Sequence, residues 1–278
     1  IGSPASNLAF YTTDTSGNTN KTLHLSYNRV VFVGNNITQQ GSTSTLEVMG
    51  TLNNSYPGYS YPIMVSDDAA YNSSAGPGGG IGFSFKQNSG GAYAQAGGIR
   101  GIKENTTDGN YASALTFYTR PNGSGTTERL RISSDGYITA PNNVAFSARG
   151  GPADVSNNVI IFATQVFQRG GTNYSTSTGI FTAPVDGIYH FMCNPYRYTD
   201  SNDSAIILET STDGGSNWYP QIEIRNMNNY SSDSGRGWFT LALSNLIDLN
   251  KDDQVRIKAT NRVHTNGVYS RFSGFLVA

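Results

Sequence analysis

Short runs in which apolar and polar residues alternate make up most of the chain, and Gly, Asn and Pro separate them. Examples are Gly80–Lys86, Gly187–Cys193 and Gln254–Thr260. Alternation with a period of two places every second side chain on one face of a β-strand, as in a sheet with one buried face. The pattern therefore predicts an all-β protein.

The composition also favours strands over helices. Among 278 residues there are 17 Tyr and 13 Phe, which favour strands, and 32 Gly, which disfavour helices. Charged residues make up only 13% of the chain, and the net charge is −1. This balance excludes the basic surface of a nucleic-acid-binding protein. The longest apolar run, residues 159–163, is far shorter than the ~18 residues of a membrane span, so we expect neither nucleic-acid binding nor membrane insertion.

Two segments of the first half repeat each other at a constant offset of 107 residues. Residues 8–12, Leu-Ala-Phe-Tyr-Thr, recur at 115–119 as Leu-Thr-Phe-Tyr-Thr, and the segment 23–26 recurs at 130–133. Each copy predicts a strand, a Gly- and Asn-rich turn and a second strand. A fixed offset without gaps indicates an internal repeat. Because the chain begins inside the first copy, we expect the natural protein to extend further upstream.

Changes in composition divide the chain into three parts. Residues 1–40 are predicted to be the end of one repeat module, and residues 41–140 a second β-rich module. Short, glycine-rich strands bury little area, so we expect these modules to associate with identical copies. Residues 141–278 contain longer strands, including one predicted over residues 158–168. Seven or more strands spaced by about ten residues predict a β-sandwich or jelly roll.

A dense aromatic motif marks the core of this C-terminal domain. Residues 179–191 fit G-x-F-x-x-P-x-x-G-x-Y-x-F, so the last two aromatic residues share one face of a strand. The first Phe is expected to pack beside them, and the Pro and the second Gly to form the turn before the strand. The residues predicted for the core motif, with those of the closing strand, are Phe181, Pro184, Gly187, Tyr189, Phe191, Phe272, Gly274 and Phe275.

This motif resembles the signature of the complement C1q globular-head family, and the agreement extends over about residues 144–278. Lys251-Asp252 stands at the Gly-Asp step of a later family turn. The resemblance implies a ten-stranded jelly roll of the tumour-necrosis-factor type, which forms homotrimers through one sheet and binds ligands at its end loops. It also implies that His190 and Met192, on the face opposite the buried aromatic residues, approach the subunit interface.

The first half carries motifs of a different kind. Residues 114–119 read A-L-T-F-Y-T, residues 128–132 read E-R-L-R-I and residues 133–136 read S-S-D-G. These motifs resemble the repeated modules of bacteriophage tail-fibre and tailspike proteins. The resemblance implies a trimeric fibre on an extracellular virion, in contact with other tail or capsid proteins. The repeat modules would then be fibre modules, followed by the C-terminal head.

The sequence offers no catalytic site, and we expect neither enzymatic activity nor a cofactor. His24, His190 and His264 lie far apart, and neither a G-x-S-x-G elbow nor an H-E-x-x-H pair occurs. Residues 211–218 fit S-x-D-x-G-x-x-W and resemble the Asp-box of sialidases, which is a hairpin turn away from the catalytic centre. We therefore predict a turn in which the Ser and Asp side chains bond backbone N–H groups and the Trp packs beneath.

The metal content is left open. Cys193 is the only cysteine, which excludes a cysteine-based zinc site, and its apolar strand predicts burial. Some relatives of the head hold calcium near the trimer apex, and the carboxylates at residues 200–203 and 252–253 provide oxygen ligands that suit calcium. No EF-hand spacing occurs and Asp is a routine turn residue, so solvated turns are the favoured interpretation.

Three loops of the head concentrate side chains suited to ligand binding, at residues 195–204, 226–237 and 261–267. Aromatic faces stack on sugar rings, while Asn and Asp side chains bond hydroxyl groups. The alternative is that these side chains only decorate the loops. The predicted ligand-binding residues are Tyr196, Tyr198, Asp200, Asp203, Tyr230, Arg236 and His264.

Together these patterns predict a trimeric bacteriophage tail-fibre or receptor-binding protein that attaches the virion to a host cell-surface glycan or protein through its C-terminal head. Three weak sites per trimer would act together through avidity. The alternative is a structural fibre that decorates a capsid or tail without specific recognition. An enzyme acting on polysaccharide would require a pair of carboxylates in a groove, for which the sequence gives no support.

Overall fold

In the computed structural model, the described part of the chain consists of β-strands joined by turns, as the alternating pattern predicts. It comprises residues 8–13, 19–25, 31–33, 46–48, 63, 65–67, 77–151, 154–197, 204–226, 239–260, 262–265 and 267–278. No helix within these ranges is long and apolar enough to cross a membrane.

The chain divides into two compact units, the first of residues 1–94 and 98–114 and the second of residues 95–97 and 115–278. The strands of the first unit are β1 (Leu8–Thr13), β2 (Thr19–Leu25), β3 (Val31–Val33), β4 (Leu46–Val48), β5 (Gly80–Lys86) and β6 (Tyr93–Lys103). The first four form a sheet in chain order, with β3 and β4 parallel. The module borders expected at residues 40 and 140 stay predictions, and the second of them falls inside the second unit.

The two repeat copies have the same strand pairing. The second copy is built from β7 (Ser113–Thr119), β8 (Thr127–Ile132) and β9 (Ile138–Thr139). Both hairpins have their register shift after the same repeat position, Phe10 in one and Phe117 in the other, where one extra residue forms a bulge. In both copies, the second strand also pairs with a third strand at equivalent positions. Equivalent pairs, all offset by 107 residues, are Phe10–Leu23 and Phe117–Leu130, and His24–Phe32 and Arg131–Thr139.

The head is a sandwich of two large antiparallel sheets with a small third sheet. Its strands are β10 (Ala145–Arg149), β11 (Asp154–Ser156), β12 (Thr164–Arg169), β13 (Ile180–Thr182), β14 (Gly187–Cys193), β15 (Tyr196–Arg197), β16 (Ser204–Ser211), β17 (Tyr219–Asn226), β18 (Phe239–Thr240), β19 (Leu243–Leu249), β20 (Gln254–Thr260), β21 (Arg262–His264) and β22 (Arg271–Leu276). The first large sheet has the order β12-β10-β22-β14-β19 and is called the five-stranded sheet below. The second has the order β13-β20-β16-β17 and is called the four-stranded sheet. The third, called the end sheet, has the order β11-β21-β15-β18. Within the described residues the large sheets therefore hold nine strands, where the resemblance implies ten.

A layer of aromatic rings fills the space between the two large sheets. The ring of Phe146 stacks on Tyr174 at 4.8 Å and on Phe181 at 5.2 Å, measured between ring centroids. Tyr174 is buried, and its hydroxyl oxygen accepts a hydrogen bond from the backbone N–H of Phe162 at 3.1 Å. Burial of such large rings supplies much of the hydrophobic stabilisation of a small sandwich.

Most of the predicted core motif faces this layer. Phe181, Tyr189, Phe191 and Phe272 are at most 1% exposed. Gly274 faces the rings so closely that a Cβ atom there would lie 2.7 Å from Phe146 and from Phe191. Pro184 and Gly187 flank the turn before β14, where the carbonyl oxygen of Ala278 approaches too closely to leave room for a side chain on Gly187.

Phe275 departs from the expected core placement. It is 39% exposed, whereas Phe272 on the same strand is fully buried. Side chains alternate along β22, so Phe272 and Gly274 face the core and Phe275 faces the other side of the sheet. The closing strand therefore contributes an apolar side chain to the outer surface of the head.

The continuous strand expected at residues 158–168 is wrong, because the chain crosses from one sheet to the other in this region. The N–H of Ile160 bonds the carbonyl of Ile257 in the four-stranded sheet, at 2.8 Å. Three residues later, the N–H of Ala163 bonds the carbonyl of Gly150 beside the five-stranded sheet. Ile160 is fully buried at this crossing. A buried crossing requires the same apolar residues as a buried strand, so the pattern does not separate the two.

The turn between β19 and β20 shifts the expected Gly-Asp step by one residue. Asp252 has a φ of +72°, the left-handed conformation that favours glycine. Asp253 follows it, is buried, and accepts a hydrogen bond from the N–H of Asn250 at 2.8 Å. Asp252-Asp253, rather than Lys251-Asp252, therefore stands in place of the family's Gly-Asp. A short polar side chain such as Asp tolerates this conformation.

The turn between β16 and β17 has the predicted Asp-box structure. An oxygen of the Asp213 carboxylate accepts a hydrogen bond from the N–H of Asn217 at 2.9 Å, and the Ser211 hydroxyl oxygen accepts one from the N–H of Gly215 at 2.9 Å. Trp218 closes the turn, and the guanidinium of Arg256 lies 3.9 Å from the centre of its ring. The turn is thus fixed to the outer surface of the four-stranded sheet.

Emptying the aromatic layer tests the face assignment. Phe181→Ala and Tyr189→Ala should each lower the free energy of unfolding by about 3–5 kcal/mol, because each leaves a cavity between the sheets. Tyr219→Ala, at a position 56% exposed, is the matched control and should change it by less than about 0.5 kcal/mol. Denaturant titration measures all three, and a core variant as stable as the parent would contradict the assignment.

The Asp213 carboxylate should titrate far below an ordinary aspartate. Hydrogen bonds from the Asn217 backbone and from the Ser211 and Asn217 side chains lower its pKa to about 2. The unfolded chain has a pKa of about 3.9, so the stabilisation is complete above that pH and is lost as pH falls towards 2. A ¹³C carboxyl titration measures the pKa. Asn217→Ala should raise it, and a parent value near 4 would refute the hydrogen-bonding pattern.

Candidate functional site

The outer face of the five-stranded sheet carries a row of exposed apolar side chains. Cross-strand pairs align Leu246, His190, Phe275, Ala145 and, at the sheet edge, the exposed Arg169 in one row. The adjacent row contains Met192, which is 42% exposed, while Leu246 is 59% exposed. An apolar patch of this kind on a folded domain marks an interaction surface. We name the residues of these two rows the outer face.

The second row is completed by serine residues and one more aromatic residue. In order across the sheet it reads Ser244, Met192, Ser273, Ser147 and Phe167. Ser273 donates a hydrogen bond to Ser147 at 2.9 Å. The second row is therefore apolar at Met192 and Phe167, which is 45% exposed, and the hydroxyl groups of Ser273 and Ser147 are paired with each other.

His190 lies in the middle of the outer face and is held on two sides. Its Nε2 atom is 2.7 Å from the hydroxyl oxygen of Ser244, and its ring contacts the ring of Phe275 edge-on at 5.2 Å. The Nε2 atom of His190 and the hydroxyl group of Ser244 therefore already have each other as hydrogen-bond partners. Burial of the outer face by another molecule would therefore leave few polar groups unsatisfied.

The predicted exposure of His190 and Met192 on the face opposite Tyr189 agrees with this geometry. Leu246, Phe167 and the outward position of Phe275 were not identified from the sequence as parts of one surface. The available signal was the set of outward-facing positions in each alternating strand. Only the register between the strands shows that these positions form one surface.

The end sheet brings two of the predicted ligand-binding residues together. Tyr196 in β15 is directly paired with His264 in β21. Tyr198, Asp200, Asp203, Tyr230 and Arg236 lie outside the described residues. Their role stays a prediction.

The strands that flank these loops pair with each other. Residues 198–203 connect β15 to β16, and residues 227–238 connect β17 to β18. Arg197 pairs with Phe239, and Ser204 pairs with Asn226. The residue before each connection therefore pairs with the residue after the other.

The described residues contain no group of three or more His, Cys, Asp or Glu side chains that could hold a metal ion. The calcium site considered for residues 200–203 lies outside this part of the chain and stays a prediction. Cys193 is buried, as expected, and burial raises the pKa of its thiol. His24, His190 and His264 lie in three different sheets.

Comparison with known proteins gives matches to the head. The family model of the C1q domain matches residues 145–277. The globular domain of zebrafish complement 1qA protein is 19% identical, over 49% of this chain and 98% of that chain, with a TM-score of 0.38. Eiger TNF from S. frugiperda is 12% identical, over 49% of this chain and 94% of that chain, with a TM-score of 0.42. No curated protein sequence matches significantly.

The family match begins at the first residue of β10 and ends just after β22, so it spans both large sheets and the end sheet. The resemblance of the first half to bacteriophage fibre modules stays a prediction. The head, residues 145–277, is therefore similar to the C1q domain.

Proposed function

We propose that the protein is a homotrimeric bacteriophage tail fibre whose C-terminal head attaches the virion to a glycan or protein on the host cell surface. The observation that carries the proposal is the outer face, on which Met192, Leu246 and Phe275 are between 39% and 59% exposed in a single chain. A surface of this kind requires a partner, and a second copy of the chain supplies one.

The family of the head supports threefold association. C1q/TNF-like domains commonly form homotrimers and are typically extracellular, non-enzymatic modules that bind ligands or build structures. In a trimer, each outer face is covered by a neighbour, and the paired serines and His190 tolerate that burial. The ligand would then bind at residues 198–203 and 227–238, where most of the predicted ligand-binding residues lie.

The first unit supports a fibre. Ile81, Phe83 and Phe85 alternate along β5, so they share one face, and each is more than half exposed. Such a face is covered when identical modules associate. The shared pairing and shared bulge of the two repeat copies support a shaft built from similar modules, joined to other tail or capsid proteins.

Adsorption to cells tests the attachment role. Purified protein at saturation should block adsorption of the intact virus, because it occupies the receptors that the virion needs. Tyr198→Ala should retain the assembled state and weaken this competition, because Tyr198 is one of the predicted ligand-binding residues. Undiminished virus adsorption at saturating protein would leave the structural decoration of a capsid or tail as the function.

A charge on the outer face tests assembly. Leu246→Glu should weaken subunit association at least about a hundredfold, because it would bury an unpaired carboxylate at the interface. Thr212→Glu, in the exposed turn after β16, is the matched control and should elute like the parent. Size-exclusion chromatography with circular dichroism separates loss of assembly from loss of fold, and parental elution of Leu246→Glu would contradict the proposed interface.

A further inference from the structure

A polar groove lies on the head between strands of its two large sheets. It has a volume of about 500 Å³ and is bounded by β12, β13, the connection between them and the start of β20. Its lining contains no carboxylate, ammonium, guanidinium or imidazole group, and ten of its twelve residues are Gln, Asn, Ser or Thr. Among the lining residues with amides or hydroxyls are Gln165, Asn173, Thr176, Thr178, Thr182 and Gln254.

The wall of the groove is held in place by its own hydrogen bonds. The side-chain amide of Gln168 donates to the carbonyl of Tyr174 at 2.8 Å and accepts from the N–H of Asn173 at 2.8 Å. Tyr174 itself is anchored in the aromatic layer against Phe146. The N–H of Thr182 bonds the carbonyl of Asn173 at 2.8 Å, which joins this wall to β13. A ligand would therefore meet a preformed surface.

Two amides of the groove retain unused hydrogen-bonding capacity. Gln165 is exposed, and only its side-chain oxygen is engaged, by the amide of Gln168 at 2.9 Å. The side-chain oxygen of Gln254 is buried without a hydrogen-bond partner, the single side-chain atom in that state within the described part of the chain. This oxygen lies beside Gly215, where an added Cβ atom would be 2.9 Å from it, so the amide has to rotate before its oxygen can accept a hydrogen bond from a ligand in the groove. The terminal amide torsion of Gln is broad, so Gln254 can turn either end of its amide to a ligand.

We propose that this groove binds a neutral oligosaccharide. Its amides and hydroxyls match a ligand with many hydroxyl groups, whereas an acidic or phosphorylated ligand would lose its hydration without gaining a counter-charge. Tyr174 and Ile180 are the apolar residues of the lining, and the Tyr174 ring is buried in the core. The groove thus offers no ring for stacking, and we expect a weak Kd of about 1 mM per site. The inference deepens the proposed attachment role and rests on it for the source of the saccharide.

Saturation-transfer-difference NMR of the full chain tests the groove, with maltopentaose, N-acetylchitotetraose and mannopentaose as neutral probes and α2,8-linked trisialic acid as the acidic probe. At least one neutral probe should receive saturation and the acidic probe should receive less. Gln254→Leu and Gln165→Ala should each weaken binding of that probe about tenfold, because each removes a hydrogen-bonding amide.

Gln221→Leu, at an exposed position outside the groove, is the matched control and should bind like the parent. Gln165 is on the surface, so its variant keeps the test valid if Gln254→Leu fails to fold. Absence of transfer to all three neutral probes, or equal binding by the groove variants and the control, would overturn the proposal. If a neutral probe binds but the protein does not block virus adsorption, the groove proposal stands and the attachment role is rejected. If the protein blocks adsorption but no neutral probe binds, the attachment role stands and the groove proposal is rejected.

Discussion

The five-stranded sheet of the head carries large apolar side chains on both faces, and this constraint determines the rest of the arrangement. Its inner face carries the aromatic layer, which the four-stranded sheet covers. Its outer face carries Met192, Leu246 and Phe275, which are exposed in a single chain. Apolar area in contact with water is unfavourable by about 25 cal/mol per Å². An antiparallel sheet can leave one face in water, but exposed apolar side chains of this kind mark an interaction surface, and only the inner cover lies within the described part of one chain.

The polar groups of the head are distributed in agreement with this constraint. Ser147, Ser273 and the His190–Ser244 pair are satisfied on the outer face, so a neighbouring subunit can exclude water there. The groove beside β12 and β13 has unused amide groups instead, which suits a small hydrated ligand. The molecule thus separates a surface suited to permanent burial from a surface suited to reversible binding.

Local alternation was enough to predict most of the strands and the faces of Tyr189 and Phe191, and sequence self-similarity was enough to predict the repeat at an offset of 107 residues. It failed where one pattern suits two structures: the apolar residues 159–163 cross between sheets, and Phe275 follows Gly274 in the outward phase of β22. The left-handed conformation at Asp252 was not predicted, because no glycine stands at that position. The groove was missed because Gln, Asn, Ser and Thr occur throughout the chain, and only the packing of the two large sheets brings Gln165 and Gln254 to the same groove.

Sedimentation equilibrium of the intact chain over a range of concentrations tests the central claim most directly. If the outer face is covered by other copies, the mass at high dilution should remain near 89 kDa, three times the 29.8 kDa of one chain. A mass near 29.8 kDa at every concentration would show that the outer face stays exposed in water, and would contradict the account.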